Sequence, residues 1–354
     1  MSGINNLARD SVKAITPYAS ARRSMSGGSV WLNANENALA AEYHLHGNYN
    51  RYPECQPPAL IGAYANYAGV DTTQVLVSRG ADEGIELLIR SFCEPGLDRV
   101  VICPPTYGMY AISAQSNQVQ CSVVPLLADF TLDVAAIKAT EQTKLVFICS
   151  PNNPTGDLIP REQIVEVLEF YKETALVVVD EAYIEFAPNA TTVDLLASYP
   201  NLVILRTLSK AFALAGLRCG FTIAAANIIN ALKQMIAPYP LAAPVAEIAV
   251  QALSSQGQQR MLQSVSIINA LRDDFIEFAR GISAFKQVYA SNANYVLLQV
   301  NDAAAWVNAI ASDGILVRNQ SSQLGLSQVI RVSIGSPEEM QLLKTSIQRY
   351  AGTL

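Results

Sequence analysis

Lys210 has the surroundings that most favour covalent chemistry in this 354-residue chain. It lies in Thr207-Leu208-Ser209-Lys210-Ala211-Phe212-Ala213-Leu214-Ala215-Gly216-Leu217-Arg218-Cys219-Gly220. A lone lysine is ordinarily a solvated surface group. Here small and apolar neighbours would desolvate the ammonium, lower its pKa and leave the neutral amine that attacks carbonyls. Hydroxyls at Thr207 and Ser209 stand behind it, and Arg218, eight residues on, offers a bidentate fork for phosphate. A second candidate, Asp180, ends the apolar run Val177-Val178-Val179 and is followed by Glu181 and Tyr183. Two acids after a buried strand can simply cap the next helix. A carboxylate at the tip of such a strand is nevertheless costly to bury unless a cation meets it, and that cation need not be a side chain. The phenol of Tyr183, three residues on, is within reach of the same place.

Two further runs join these. Ser150-Pro151-Asn152-Asn153-Pro154-Thr155-Gly156 follows an apolar strand, and taken alone it is a turn. Its place at the carboxyl end of a strand, where α/β proteins collect ligands, makes an Asn amide available as donor and acceptor. Ser78-Arg79-Gly80-Ala81-Asp82-Glu83-Gly84 reads as a strand-to-helix turn whose free N–H groups can hold an anion, although many helices start this way without a ligand. Together the four runs supply an amine, a carboxylate, a phenol, an amide, an arginine and an anion-binding helix start.

Other chemistries find less support. The two histidines, His44 and His46, sit together without H-E-x-x-H spacing and read as a loop pair, so acid–base work falls to Lys, Asp, Glu, Tyr or Cys. The six cysteines (Cys55, Cys93, Cys103, Cys121, Cys149, Cys219) form no C-x-x-C pair and read as small buried hydrophobes, with no metal site expected. A net charge of −6, from 24 basic and 30 acidic residues, provides no basic stripe for nucleic acid or an anionic membrane surface. The apolar stretches are far shorter than the ~18 residues of a membrane span. The opening MSGINNLARDSVK lacks the apolar segment of a secretory signal, which leads to the expectation of a cytoplasmic protein.

The elements that must carry these residues follow from periodicity. At roughly 150 residues per domain, the length suggests about two domains. Short β-branched runs alternating with amphipathic stretches predict an α/β domain built on a mainly parallel sheet. Seven strands are expected at Gln74–Ser78, Arg99–Cys103, Gln120–Pro125, Thr143–Cys149, Leu176–Asp180, Leu202–Thr207 and Cys219–Ile223. Between them, helices are expected at Asp82–Phe92, Met109–Gln115 and Arg161–Lys172, with a short one starting near Ser209. From Ala243 the pattern turns helical, over Glu247–Leu253 and Gln258–Arg280. Strands at Tyr295–Gln299 and Ile330–Ile334 and helices at Ala303–Ser312 and Pro337–Tyr350 complete a smaller α+β domain. The expected division is an N-terminal arm (1–32) packing on the small domain or a partner subunit, a large domain (33–242) and a small C-terminal domain (243–354).

With SPNNPTG, DEAY and SKAFALAGLR in this order, the chain resembles the fold type I pyridoxal-phosphate enzymes, the aspartate aminotransferase superfamily. RGADEGIELLIR and CPPTYGMY narrow the resemblance towards the histidinol-phosphate aminotransferases. It extends from Ile15-Thr16-Pro17-Tyr18 through Leu32-Asn33-Ala34-Asn35-Glu36 and Arg51-Tyr52-Pro53-Glu54 to Ile330-Arg331-Val332-Ser333-Ile334-Gly335, nearly the whole chain. The resemblance implies pyridoxal 5'-phosphate as cofactor, joined covalently to Lys210, with Asp180 on its pyridine nitrogen, Tyr183 and Asn153 on its phenolic oxygen and Tyr107 on its ring face. It implies a phosphate grip by Ala81, Asp82, Ser209 and Arg218, completed by Tyr52 from a partner subunit, hence a homodimer. On the substrate side it implies Arg331, with Arg318, Asn35 and Tyr18 nearby, and a transamination between L-histidinol phosphate and 2-oxoglutarate that yields imidazole acetol phosphate and L-glutamate. The alternative is an aromatic amino-acid aminotransferase of the same fold. Between Arg318 and Arg331 there is no further basic residue, so a substrate phosphate would rest mainly on these two arginines.

Overall fold

A computed structural model describes residues 9–25 and 27–352; residues 1–8 of the expected arm lie outside the described residues. The arm contributes a two-residue strand, β1 (Val30–Trp31). Seven strands then build the main sheet: β2 (Val75–Ser78), β3 (Arg99–Ile102), β4 (Gln120–Val123), β5 (Thr143–Cys149), β6 (Leu176–Asp180), β7 (Leu202–Thr207) and β8 (Gly220–Ala224). Their spatial order is β2-β8-β7-β6-β5-β3-β4. Pairing is parallel from β7 through β4, and β8 runs antiparallel to both of its neighbours.

The central strands are mostly apolar and rich in β-branched residues because both faces of the sheet are covered. Successive residues alternate between two cores. Val146, Ile148, Val177, Val179 and Ile204 pack with Leu60, Tyr64, Val167 and Ala249 on one face. Leu145, Phe147, Val178, Val203 and Leu205 pack with Ile85, Leu88, Tyr110 and Ile229 on the other. Four of the six cysteines are buried in this way.

Two readings of local structure need correction. No helix starts near Ser209: the Leu208 N–H bonds to the Cys219 carbonyl and the Leu214 N–H to the Leu208 carbonyl. The chain therefore folds back on itself, and only a single 3-10 turn forms, at Ala215–Leu217. The helices Pro58–Ala68 and Ala226–Met235 were not expected; the first carries no charged residue and so shows no polar face.

The C-terminal part forms a second sheet in the order β12-β13-β10-β9, from β9 (Phe285–Val288), β10 (Tyr295–Val300), β12 (Arg318–Asn319) and β13 (Val329–Ser333), all antiparallel. β11 (Ile315–Leu316) pairs in parallel with β1, which ties the arm to this region. Asn33 and Asn35, which directly follow the arm, are buried between the two sheets. Among the described residues, no helix is long and apolar enough to cross a membrane.

Candidate active site

Strands β2, β3, β5, β6 and β7 all end on one edge of the main sheet, and β8, running the other way, begins there. Ligands collect at such an edge, and here it opens into a cleft of about 490 Å³. Ala81, Asp82, Tyr107, Asn153, Asp180, Tyr183, Ser209, Lys210, Arg218, Tyr18, Asn35, Arg318 and Arg331 all line it. Of the expected site residues, only Tyr52 lies elsewhere. It is 81% exposed, with its ring stacked on Tyr239 at 4.3 Å.

The lysine is aimed by the folded-back loop after β7. The Ser209 N–H donates to Thr207 Oγ1 (3.1 Å), while the Thr207 hydroxyl lies 3.2 Å from the Cys219 carbonyl. Lys210 Nζ donates to the Ala34 carbonyl at 3.2 Å and sits 5.5 Å from the centroid of the Tyr183 ring. Burial, helped by the positive charge of Arg331, lowers its pKa to about 8, so about a tenth of the amine is neutral at pH 7.

Asp180 ends β6 and is buried. It accepts the Tyr110 hydroxyl at 2.7 Å and the Ala182 N–H at 3.1 Å. Among the described residues no cationic side chain pairs with it, and burial raises its carboxyl to about 6. Glu181, its neighbour, points elsewhere: it takes Nε and Nη2 of the buried Arg206 at 2.9 and 2.8 Å and the Thr192 N–H at 2.6 Å. Of the two acids, one is structural and one faces the cleft.

The anion cradle forms where β2 meets the helix Ala81–Phe92. Gly80 has φ +81°, and a Cβ there would lie 2.7 Å from Arg218 Nη2, so glycine is what lets the guanidinium lie over the helix start. Arg218 reaches Ser209 Oγ (3.3 Å) and Asp82 (3.2 Å). The first N–H groups of a helix have no intrahelical partner and carry partial positive charge. Tyr107 donates to Asp82 at 2.8 Å, with its ring edge-on to Tyr18 and Tyr110.

On the facing side, Arg318 and Arg331 are direct cross-strand partners, so two guanidinium groups share one face. Arg331 is buried; it donates to Asn153 Oδ1 at 2.7 Å and to the Asn33 carbonyl at 3.0 Å, and among the described residues its Nε has no partner. Arg318 bonds Ser24 Oγ at 2.6 Å and the Ala19 carbonyl. Burial and the charge of Arg331 lower its pKa. Asn35, at φ +52°, donates to the Tyr183 hydroxyl at 3.0 Å. Sequence reasoning did not single out Tyr110. It lies in the helix Met109–Ser116, whose N-cap follows Tyr107, and no local pattern sets it apart from a core tyrosine.

The family model for aminotransferases of class I and II matches residues 28–347. A histidinol-phosphate aminotransferase of Yersinia enterocolitica is 52% identical over 99% of this chain and 94% of its own. The chain belongs to this aminotransferase family. Among solved structures, histidinol-phosphate aminotransferase from Clostridium acetobutylicum superposes with a TM-score of 0.84 at 25% identity, over 92% of this chain and 100% of that one. The same enzyme from Sinorhizobium meliloti, solved in complex with pyridoxal-5'-phosphate, gives 0.87 at 23% identity over 98% of both chains. The α/β architecture with its seven-stranded, mostly parallel sheet is that of the family.

The residues present suit a flat, phosphorylated, nitrogen-containing ring with a carbonyl. A buried carboxylate without a protein cation suits a protonated ring nitrogen. An arginine laid over a helix start suits a phosphate. An amine with a lowered pKa suits a carbonyl carbon.

Proposed function

We propose that this chain is a transaminase that moves the amino group of L-histidinol phosphate to 2-oxoglutarate, giving imidazole acetol phosphate and L-glutamate, a step of L-histidine biosynthesis. The observation that carries this reading is the single cleft in which Lys210, Asp180 and Arg218 face Arg331 and Arg318. Its cofactor is pyridoxal 5'-phosphate, which when bound supplies an electron sink that acidifies the substrate's Cα–H. Ala81, Asp82, Ser209 and Arg218 would hold its phosphate, Asp180 its ring nitrogen, Tyr183 and Asn153 its phenolic oxygen, and Tyr107 its ring face.

Lys210 is the acid–base group. With its pKa lowered to about 8, Nζ takes the proton from the substrate Cα and later gives a proton back, which suits a catalyst working near neutral pH. Arg331, with Nε unpartnered and the neighbouring guanidinium of Arg318 opposite, binds the carboxylate of glutamate and the phosphate of histidinol phosphate in turn. Asn35 holds Tyr183 in place, and Tyr18 closes the cleft beside Tyr107. The active form is a homodimer in the cytoplasm, in which the exposed Tyr52 of one copy completes the phosphate grip of the other. The chain divides functionally into an arm (1–32), a cofactor-binding domain (33–242) and a small domain (243–354) that carries the substrate arginines.

The test is kcat/KM for histidinol phosphate, phenylalanine and threonine phosphate with 2-oxoglutarate as acceptor. Histidinol phosphate should be turned over best; equal or better turnover of phenylalanine would overturn the substrate assignment. Borohydride reduction and peptide mapping should mark Lys210.

A further inference from the structure

Tyr110 is fully buried, lines no part of the cleft, and spends its single O–H on Asp180 Oδ2 at 2.7 Å. Its ring is clamped, stacked on Phe147 at 4.8 Å and 11°, with the edge of Tyr107 at 5.7 Å. A phenol held this rigidly is a costly way to satisfy a hydrogen bond that water could make, unless the carboxylate must be kept dry and fixed. Asp180 has one other partner, the Ala182 N–H on Oδ1. We propose that Tyr110 is a positioning residue of the transamination site, fixing the Asp180 carboxylate in the orientation and charge state that a protonated pyridine ring requires. This rests on the reading of the cleft as a pyridoxal-phosphate site.

The electrostatics agree with the geometry. Burial drives Asp180 towards its neutral form, and the negative charges of Asp82 and Glu181 push the same way. Only the Tyr110 and Ala182 hydrogen bonds oppose them. The Cys149 thiol beside them is itself pushed towards its neutral form by burial and by Asp180, and Tyr110 is raised well above the ordinary phenol value. Tyr110 is therefore a donor at every working pH. Without its O–H, the proton shared between Asp180 and the ring nitrogen shifts towards the carboxylate. A hydrogen bond to a charged group is worth enough to change an equilibrium by about tenfold or more.

The experiment compares cofactor affinity of the apoprotein for pyridoxal 5'-phosphate and for its 1-deaza analogue, which has carbon in place of the ring nitrogen. Tyr110→Phe should weaken pyridoxal phosphate about tenfold at pH 7.5 and leave the analogue within about twofold of wild type. The ¹⁵N resonance of the bound ring should move towards neutral pyridine. The ratio of the two affinities is read within one preparation, so a partly folded sample does not distort it. Tyr110→His, which keeps a ring and returns an N–H donor, should bind pyridoxal phosphate more tightly than Tyr110→Phe. Equal weakening of both cofactors, unchanged affinity for both, or a histidine variant no better than phenylalanine overturns the proposal. Failure of the wild-type protein to take up pyridoxal phosphate would instead sink the reading of the cleft.

Discussion

Replacing Lys210 with methionine should stabilise the cofactor-free protein at neutral pH. Burial of the Lys210 ammonium in the cleft, helped by the charge of Arg331, lowers its pKa from 10.5 to about 8. That fall corresponds to about 3 kcal/mol of extra cost for the charged form. Below pH 8 the lysine is protonated in both the folded and unfolded states, and the folded state bears the whole cost. Between pH 8 and 10.5 the folded state has released its proton while the unfolded chain still binds one, so wild-type stability climbs. Above that range the cost is gone. Methionine fills the same space without charge, but it gives up the bond from Nζ to the Ala34 carbonyl at 3.2 Å, worth about 1 kcal/mol. The variant should therefore be about 2 kcal/mol more stable than wild type at pH 7, and about 1 kcal/mol less stable near pH 10.5. Urea denaturation of the two apoproteins at both pH values reads this directly. Other groups titrate alike in both and cancel in the difference. A methionine variant no more stable at pH 7, or a difference independent of pH, refutes the reasoning.

Arg206→Met should destabilise the fold by about 3–5 kcal/mol, because it leaves Glu181 charged, buried and unpaired. The double variant Arg206→Met/Glu181→Gln should recover much of that loss in the same denaturation assay. Gly220→Ala drives a Cβ to 2.5 Å from the backbone of Gly80 and Ala81. Since backbone cannot step aside there without moving the helix start, fluorescence titration should find pyridoxal phosphate affinity lowered at least tenfold, with a stability loss of about 1–3 kcal/mol. Co-expression of Tyr52→Ala and Lys210→Ala chains should restore up to about a quarter of wild-type activity, since mixed dimers carry one intact site. Activity no higher than the sum of the two separate variants would mean Tyr52 does not act across an interface.

The strands of the main sheet were readable because burial on both faces demands near-continuous apolar runs such as residues 202–205 and 176–179. The C-terminal strands were readable only in part. Tyr295–Val300 is buried and apolar, whereas Phe285–Val288 has Lys286 and Gln287 exposed and shows neither a continuous run nor a core of its own. The loop after β7 misled for a related reason. Ala211 to Leu217 has good helix formers, but the Leu208 N–H pairs with the Cys219 carbonyl at the antiparallel return to β8, and the Leu214 N–H turns back to the Leu208 carbonyl. Tyr110 escaped notice because nothing local distinguishes it from any core tyrosine. Its partner, Asp180, is 70 residues away.

The sequence by itself determined which chemical groups stand at strand ends and turns, since periodicity, glycine placement and turn chemistry are local properties. That was enough to name Lys210, Asp180, an asparagine amide of the turn at residues 150–156 and the helix start at Gly80 as candidates. Only the tertiary structure decided which of them meet. The strand order β2-β8-β7-β6-β5-β3-β4 brings β6 beside β7, so that Asp180 and the Lys210 loop share an edge. The β12–β13 pairing sets Arg318 opposite Arg331, and the segment after the arm brings Asn33 and Asn35 to the same cleft. Strand order depends on how two faces of a sheet are covered by helices distant in sequence, and no local preference records it. The same packing desolvates Lys210 and Asp180 together, so their altered proton affinities belong to the assembled cleft and to neither residue's neighbours in the chain.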